Sequence, residues 1–238
     1  MIKVSLNHEG KSFHIVKRDY DEYHGITAAV ITMNEEENIV EFIKHLRPLV
    51  ERIVVVDGGS SDKTLELAEP LVDAIKVVPF CGHFGEQKNT AIKMCFTDWV
   101  LFLDPDERLD ANLYEKIKDL IEQDEIDCYA FPRKEFRDNI EDEKVYPDYQ
   151  RRLFRSYCRY VRPVHEELVG YKKEKRLETG RGLDIMHRKT EDRHKARNSV
   201  YSFFETHYIH ECGGPGEQLR DTVREILTRE EIKKENNV

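Results

Sequence analysis

The sequence predicts an α/β fold in which a mostly parallel sheet is flanked by helices. Nearly continuous apolar runs recur in the first half of the chain, and stretches with helical spacing separate them. Strands that are buried on both faces have such apolar runs, and their alternation with helices is typical of parallel sheets. Three of these runs also end in a polar cluster, at the position where such sheets place their ligands.

The parallel part of the sheet is expected between residues 26 and 123. Its strands are predicted at 26–32, 52–56, 74–78 and 99–103. The helices between and after them are predicted from the residues after Glu37 to about 46, from the 60–62 caps to about 72, at 85–96, and from the Asp110 cap to about 123. Ser60, Ser61 and Asp62 are suitable N-caps for the second helix, and Asp110 is a suitable N-cap for the fourth.

The other segments do not follow this alternation. β-Rich segments are expected at 127–136, 144–154, 162–170 and 176–187. Helices are predicted at 191–211 and 217–234, and β-prone runs at 3–6 and 11–16 predict a hairpin. We therefore expect an N-terminal β-hairpin extension (1–25), a main domain (26–190) and a helical tail (191–238).

Charge limits the partners of this protein. The 238-residue chain has 38 Lys and Arg against 47 Asp and Glu, a net charge of −9. Proteins bind duplexes mainly by neutralising phosphates with basic residues, which a chain with net negative charge does poorly. We therefore expect no nucleic-acid partner. Residues 151–197 nevertheless contain fifteen basic residues and seven acidic ones. This basic segment could bind a diphosphate or an anionic membrane surface, or it could form a solvated face.

The sequence predicts a soluble, cytoplasmic protein. No apolar run approaches the ~20 residues of a membrane helix, and the N-terminus lacks the layout of a secretory signal. The five cysteines are scattered without a Cys-x-x-Cys pair, which argues against a disulfide framework and a structural zinc site. Contact with a membrane would then be at most peripheral, at its inner face.

An Asp-Pro-Asp-Glu segment at 104–107 follows the fourth predicted strand. Two acids one residue apart at the end of a buried strand can bind one divalent cation. The alternative is that Asp106 or Asp110 caps the next helix while Asp104 faces solvent. Together with the clusters at 32–35 and 57–62, this segment predicts a ligand site at one edge of the sheet.

The Asp57-Gly58-Gly59 segment follows the second predicted strand. Asp57 can accept hydrogen bonds from a base or a ribose, while the serines after it can serve simply as helix caps. The chain has neither a G-x-G-x-x-G fingerprint nor a Walker lysine motif, which disfavours a hydride-transfer enzyme and a P-loop NTPase.

Several motifs carry a family resemblance. TMNEEENI (32–39), VVVDGGSSDKT (54–64), GEQKNTAI (85–92) and WVLFLDPDE (99–107) resemble, in order and spacing, the family 2 glycosyltransferases of the Rossmann-like GT-A fold. YPDYQRRLF (146–154), PVHEELVG (163–170) and GLDIMH (182–187) resemble the branch typified by lipopolysaccharide-core β-1,4-glucosyltransferases, enzymes of cell-envelope polysaccharide biosynthesis. The resemblance covers about residues 26–190.

The resemblance implies a site for a nucleotide-sugar. The turn that would hold the base and ribose consists of Thr32, Met33, Asn34 and Glu35. Asp57 would contact the base, and Lys88 would lie near the base or the diphosphate. Asp104 would lie near the ribose and the metal, with Asp106 as a direct ligand of Mg²⁺ or Mn²⁺. His187 would be a further metal or diphosphate contact, although a lone histidine is equally often a core or surface residue.

The implied reaction is an inverting sugar transfer, which needs one general base and a metal. Glu166 and Asp148 are the candidate bases, and Glu166 ranks first because His165 beside it could orient the carboxylate. The alternative for Glu166 is a salt bridge to nearby arginines. Arg151 and Arg152 could clamp the diphosphate, although one of them is expected to pair with an acid.

The sequence departs from the family pattern after Asp57. The family frequently has a second acid there, and this chain has Gly58, which leaves recognition of the ribose open.

The function expected from this resemblance is transfer of a sugar from a UDP-sugar to a glycan or lipid-linked acceptor. A sugar nucleotidyltransferase is one alternative, but it would have a Gly-rich basic loop where this chain has the acidic TMNEEENI. A non-catalytic binding module is the other, and two retained aspartates with two candidate bases argue against it.

An apolar stripe in the tail favours packing on the domain or a homodimer through the C-terminal helices. The stripe comprises Val200, Phe203, Phe204, His207 and Tyr208.

Overall fold

The computed structural model describes residues 24–195 together with residues 198, 199 and 202. In this part of the chain, a ten-stranded mixed sheet is flanked by four α-helices, and a two-stranded hairpin lies beside it. The predicted α/β class is confirmed. The hairpin expected from the runs at 3–6 and 11–16 lies outside the described residues, and so do most of the tail and its apolar stripe from Val200 to Tyr208.

The first half of the sheet is parallel. Its elements are β1 (Ile26–Thr32), α1 (Ile39–Leu46), β2 (Arg52–Asp57), α2 (Thr64–Ala68), β3 (Ala74–Val77), α3 (Phe84–Ile92) and β4 (Trp99–Phe102). The strands lie in the order β3-β2-β1-β4, and the register pairs Thr32 with Asp57. The carboxyl ends of β1 and β2 therefore lie side by side, as parallel pairing requires.

The second half of the sheet is mixed and extends the same surface. Its elements are β5 (Glu107–Leu109), α4 (Ala111–Leu120), β6 (Cys128–Arg137), β7 (Ile140–Glu141), β8 (Asp148–Arg155), β9 (Arg159–Val161), β10 (Glu167–Val169), β11 (Glu174–Arg176) and β12 (Ile185–Lys189). β8 pairs antiparallel with β4, and the order continues β8-β6-β12-β5. The antiparallel pairing of β12 with β5 sets His187 opposite Glu107.

Apolar cores cover both faces of the sheet, which explains the continuous apolar strands. Ala28 and Val30 lie in one core with the apolar residues of α1 and α4. Ala29, between them, lies in the other core with Ala91 of α3 and Tyr160 of β9. Successive side chains of a strand point to opposite faces, so each central strand needs apolar residues at consecutive positions.

Several helix bounds differ from those predicted. The start of α1 at Ile39 agrees with the prediction that this helix follows the 34–37 segment, where Asn34 has a positive φ of 56° that no helix continues. The N-cap of α2 is Lys63, and Asp62 instead accepts hydrogen bonds from the backbone N–H and hydroxyl of Thr64. Asp110 caps α4 as predicted, with its carboxylate accepting from the N–H of Asn112. α3 and α4 end at Ile92 and Leu120, a few residues before the predicted positions.

The chain is again helical at residues 191–195, 198, 199 and 202. The division into an extension, a main domain and a tail stays a prediction. Among the helices of the described ranges, none is long and apolar enough to cross a membrane.

Candidate active site

A cavity of about 660 Å³ lies where β4 ends and the antiparallel β8 begins. Six of the predicted site residues line it, namely Lys88, Asp104, Arg151, Arg152, Glu166 and His187. The remaining predicted site residues are not among the described residues that line this cavity. They are Thr32, Met33, Asn34, Glu35, Asp57, Asp106 and Asp148. The structure therefore gathers one of the two candidate bases, two of the three candidate metal ligands and several cations in one place.

Asp57 is completely buried at the end of β2. Its carboxylate accepts hydrogen bonds from the hydroxyls of Thr32 (3.0 Å) and Ser60 (2.5 Å). It also accepts from the backbone N–H groups of Gly59 and Ser60, both at 2.8 Å. Four donors thus occupy the carboxylate, and they hold the 57–62 loop against β1. The expected contact of Asp57 with a base stays a prediction.

The 32–35 turn is fastened to the same loop. The backbone N–H of Asn34 donates to the Ser60 hydroxyl at 2.9 Å, and the Asn34 side chain accepts from the N–H of Ser61 at 2.9 Å. A Cβ on Gly58 would lie 3.1 Å from Nε2 of Gln87 and 3.3 Å from the carbonyl of Thr32. A larger residue at position 58 would therefore crowd this junction, which gives the missing second acid a packing reason.

Glu35 connects the turn to the helical residues that follow β12. One carboxylate oxygen lies 2.5 Å from Nη2 of Arg193, and the other accepts from the side chain of Asn38 at 2.8 Å. Burial raises the pKa of Glu35, and Arg193 opposes that increase only in part. The turn predicted to hold the nucleoside thus carries a buried, paired carboxylate.

His187 lies between two carboxylates and keeps only 1% of its surface exposed. Its Nε2 lies 3.1 Å from Oδ2 of Asp106, and its Nδ1 lies 2.7 Å from Oε1 of Glu135. The strand register produces this arrangement, because His187 is opposite Glu107 on one side and Glu135 on the other. Burial lowers the pKa of His187, but Asp106 and Glu135 outweigh burial and raise it.

Asp104 and Arg152 form a buried ion pair with Glu107. Nη2 of Arg152 lies 2.8 Å from Oδ2 of Asp104 and 2.7 Å from Oε1 of Glu107. The other oxygen of Glu107 accepts from the backbone N–H of Asp104 at 3.0 Å. Burial disfavours the charged guanidinium, yet the two carboxylates raise the pKa of Arg152 well above its usual value.

Both arginines of the predicted diphosphate clamp line the cavity and pair with acids. Arg152 is held by two carboxylates, and Arg151 pairs with Glu174 while stacking over the ring of Tyr171 at 5.5 Å. We expected one of the two arginines to pair with an acid, and in the structure both do. These ion pairs are made through Nη2 of Arg152 and Nε of Arg151, and binding of a diphosphate by the two arginines stays a prediction.

Glu166 and Lys88 face each other within the cavity. Their side chains are 8% and 10% exposed, and Nζ of Lys88 lies 3.2 Å from Oε1 of Glu166. That oxygen has no well-aligned hydrogen-bond donor. Lys88 also lies over the ring of Tyr160 at 4.9 Å. The alternative for Glu166 was a salt bridge to arginines, and in the structure its partner is Lys88. Burial lowers the pKa of Lys88, but Glu166 and Asp104 outweigh burial and raise it.

Asp148, the second candidate base, is differently placed. Its side chain is 34% exposed and pairs with Nη2 of Arg133 at 2.6 Å. It also accepts from the side chain of Gln150 at 2.8 Å. Both oxygens of Asp148 are therefore engaged at the edge of the site, and the geometry favours Glu166 over Asp148.

The comparison with known families agrees with this geometry. The family model described as Glycosyl transferase family 2 matches residues 27–190, more than half of the chain. This chain belongs to glycosyltransferase family 2. The matched region contains the cavity, the Asp104–Glu107 segment and His187.

Curated relatives in this family match part of the chain. An uncharacterized glycosyltransferase of Rickettsia felis is 38% identical over 93 residues, covering 39% of this chain and 32% of that protein. The lipopolysaccharide core biosynthesis glycosyltransferase LpsC of Rhizobium meliloti is 34% identical over 117 residues, covering 47% of this chain and 43% of LpsC. The chain spans about a third of the length of the Rickettsia relative.

Solved structures show the same fold. S. aureus TarS 1-349 in complex with UDP aligns with a TM-score of 0.52 at 15% identity, covering 86% of this chain and 71% of that one. Its complex with UDP-GlcNAc aligns with a TM-score of 0.51 at 16% identity, covering 86% and 72%. These alignments support the GT-A architecture that the resemblance implied.

The donor atoms of this family 2 site fit a metal that is shared with a substrate. Among the residues described, no three His, Cys, Asp or Glu side chains already surround a metal position. Asp106 and His187 do present an oxygen and a nitrogen 3.1 Å apart. Mg²⁺ and Mn²⁺ commonly take one or two protein ligands and complete their coordination with phosphate oxygens and water. The pair therefore fits such an ion better than it fits an all-protein cage.

Sequence reasoning missed four charged residues that build this site. Glu107 and Arg133 join the Asp104–Arg152 pair, and Glu135 and Lys189 complete the surroundings of His187. Glu107 had a signal, as the third acid within four residues after a buried strand. Glu135, Arg133 and Lys189 had none, because their place depends on the register of β6 with β12.

Proposed function

We propose that this chain transfers a sugar, with inversion, from a UDP-sugar to a hydroxyl of a glycan or lipid-linked acceptor. The observation that carries this proposal is the carboxylate of Glu166. It is buried in the cavity, lacks an aligned donor at Oε1, and shares the cavity with Asp104 and His187. The fold shared with TarS, which was solved with UDP and UDP-GlcNAc, supports a UDP-sugar as donor.

Glu166 acts as the general base in this proposal. It accepts the proton of the acceptor hydroxyl as the acceptor oxygen forms its bond to the anomeric carbon. The bond from that carbon to the diphosphate breaks at the same time, and its electron pair leaves on the diphosphate. A base must be within hydrogen-bond reach of the proton that it takes, and Glu166 is one of the residues that line the cavity.

Lys88 supports this role by its charge. An isolated buried carboxylate is costly, and the ammonium group 3.2 Å away compensates the charge of Glu166. Lys88 therefore holds the carboxylate inside the cavity without leaving its charge uncompensated.

Asp106 and His187 would hold Mg²⁺ or Mn²⁺, with Asp104 beside them. When bound, the ion would neutralise the charge that develops on the departing diphosphate. Glu135 positions His187 through the hydrogen bond to Nδ1, as a carboxylate commonly does for the second ring nitrogen of a histidine that binds a metal. Glu107 and Arg152 hold Asp104 in the same segment.

The acceptor belongs to cell-envelope polysaccharide synthesis in this proposal. The relative LpsC is a lipopolysaccharide core biosynthesis glycosyltransferase, and its match spans 47% of this chain. Motifs of the 146–187 region resemble the same branch, which supports an acceptor of that class.

The test compares Glu166→Gln with Glu167→Gln. Glu167 is the next residue, with a side chain 49% exposed that pairs with Arg162 at the surface. The assay is release of UDP from a panel of UDP-sugars with Mn²⁺, in which water can take the place of the acceptor. We expect Glu166→Gln to slow release by about 100-fold or more while UDP affinity is kept, and Glu167→Gln to behave as wild type. Full turnover by Glu166→Gln would transfer the role to Asp148.

A further inference from the structure

The GEQKN segment of α3 carries three separate contacts to the hairpin that bears Glu166. The hairpin consists of β9, β10 and the 162–166 loop between them, and it is a two-stranded unit outside the main sheet. Lys88 supplies the first contact through its ion pair with Glu166. The other two come from Gly85 and Asn89, to which the proposed function gives no role.

Gly85 allows the loop to lie directly on the first turn of α3. A Cβ at this position would lie 2.5 Å from the carbonyl oxygen of Arg162, closer than any side chain tolerates. Beside it, the backbone N–H of Phe84 donates to the carbonyl of Pro163 at 2.9 Å. The loop backbone and the helix therefore touch without a side chain between them, which only glycine permits.

Asn89 fixes β9 one turn further along the helix. Its side-chain NH₂ donates to the carbonyl of Tyr160 at 2.8 Å, and its side-chain oxygen accepts from the N–H of the same residue at 2.8 Å. This two-point contact sets both the position and the direction of the strand. Tyr160 in turn packs edge-on against Phe102 and Phe154 in the core.

The loop held in this way is under backbone strain. Arg162 and His165 have positive φ values of 74° and 51°, a region that costs residues with a side chain about 1 kcal/mol or more. Such conformations persist only where the surroundings enforce them. The two residues flank Pro163 and Val164, directly before Glu166. The strained backbone and the contact with α3 therefore both constrain the residues that orient the carboxylate of Glu166.

We propose that Gly85 and Asn89 are positioning residues for the general base, and that α3 is the platform on which the Glu166 hairpin is seated. This inference rests on the proposed role of Glu166. It gives the GEQKN motif a function in the geometry of the proton transfer, which is distinct from any contact with the nucleotide.

The first test is Gly85→Ala. We expect kcat for UDP release to fall by about 100-fold, since displacement of a reacting group by about 1 Å costs that much, while the Kd of UDP measured by calorimetry stays unchanged. In the Glu166→Gln background the same substitution should cause no further loss, because the group it positions is gone. A fall in kcat of similar size in both backgrounds would overturn the proposal.

Hydrogen exchange of the 159–169 peptide provides a readout that does not depend on turnover. We expect faster exchange in Gly85→Ala and in Asn89→Ala, with a circular dichroism spectrum like that of wild type. Thr90→Ala is the control, because its hydroxyl bonds only back to the carbonyl of Glu86 within α3. Unchanged exchange in both variants would refute the seating of the hairpin. Wild-type turnover by Glu166→Gln would instead refute the proposed base, whatever the exchange shows.

Asn89→Ala also keeps the proposal testable if Gly85→Ala does not fold. It removes both hydrogen bonds to Tyr160 without adding any atom to the helix surface. We expect it to lower kcat and leave the Kd of UDP unchanged, and a raised Kd with an unchanged kcat would contradict a positioning role.

Discussion

Nε2 of His187 lies 3.1 Å from Oδ2 of Asp106, although 81 residues separate the two in the chain. The other ring nitrogen of His187, Nδ1, is hydrogen-bonded to Glu135. Protein contacts at both nitrogens therefore fix the orientation of the ring. An oxygen and a nitrogen donor are thereby held together next to Asp104 and the cavity. In the proposed function, this pair would hold the divalent ion that neutralises the diphosphate.

We expect Asp106→Ala to abolish the dependence of UDP binding on Mn²⁺. Loss of a residue that hydrogen-bonds a metal ligand lowers metal affinity by about 10–100-fold. Loss of a direct ligand should lower it further. Calorimetry with UDP, with and without Mn²⁺, measures the effect. Asp119→Ala, at an exposed position of α4, is the control. Wild-type affinity in Asp106→Ala would remove Asp106 from the metal site.

The parallel half of the fold could be predicted because its signals are local. Each central strand is buried on both faces, and its apolar run is visible without knowledge of its partners. The mixed half was predicted less well, since β6, β8 and β12 find their neighbours across long stretches of chain.

The site was predictable where a motif lies at the end of one strand, as for Asp104 and Asp106. The proximity of His187 came from the family resemblance, because no local pattern links β12 to β5. The ion pair of Lys88 with Glu166 and the two partners of Arg152 depend on how β8 and the hairpin meet α3 and β4. Such contacts are fixed by tertiary packing, and sequence periodicity carries no information about them.

We expect Glu107→Gln to destabilise the protein by about 3–5 kcal/mol. Glu107 has no exposed surface and compensates Arg152 at 2.7 Å and Arg133 at 3.0 Å. Removing one charge from such a buried network leaves the others uncompensated, which is costly. Urea denaturation measures the free energy of unfolding. Glu178→Gln, which breaks an exposed pair with Arg181, should leave it unchanged within error. An equally small effect of Glu107→Gln would show that water or other groups compensate the arginines.

The acid sensitivity of the fold should depend on His45. Its Nε2 accepts a hydrogen bond from the backbone N–H of Leu109 at 3.1 Å, so the folded protein needs the neutral ring. Burial, assisted by the charge of Arg108, lowers the pKa of His45 below its usual 6.5. The unfolded chain then binds the proton more tightly than the folded chain. The free energy of unfolding should therefore fall as the pH drops below about 6.5.

We expect His45→Gln to reduce the loss of stability between pH 7.5 and pH 5. The glutamine oxygen can still accept from the N–H of Leu109, but it cannot be protonated in this range. Urea denaturation at both pH values measures the difference between wild type and variant. His24→Gln is the control, because partners Glu122 and Asp98 raise the pKa of that exposed histidine. A raised pKa stabilises the folded state at low pH. Removing His24 should therefore leave the decrease in the free energy of unfolding between pH 7.5 and pH 5 unchanged or make it larger. If the free energy of unfolding of His45→Gln decreases between pH 7.5 and pH 5 as much as that of wild type, another group causes the decrease.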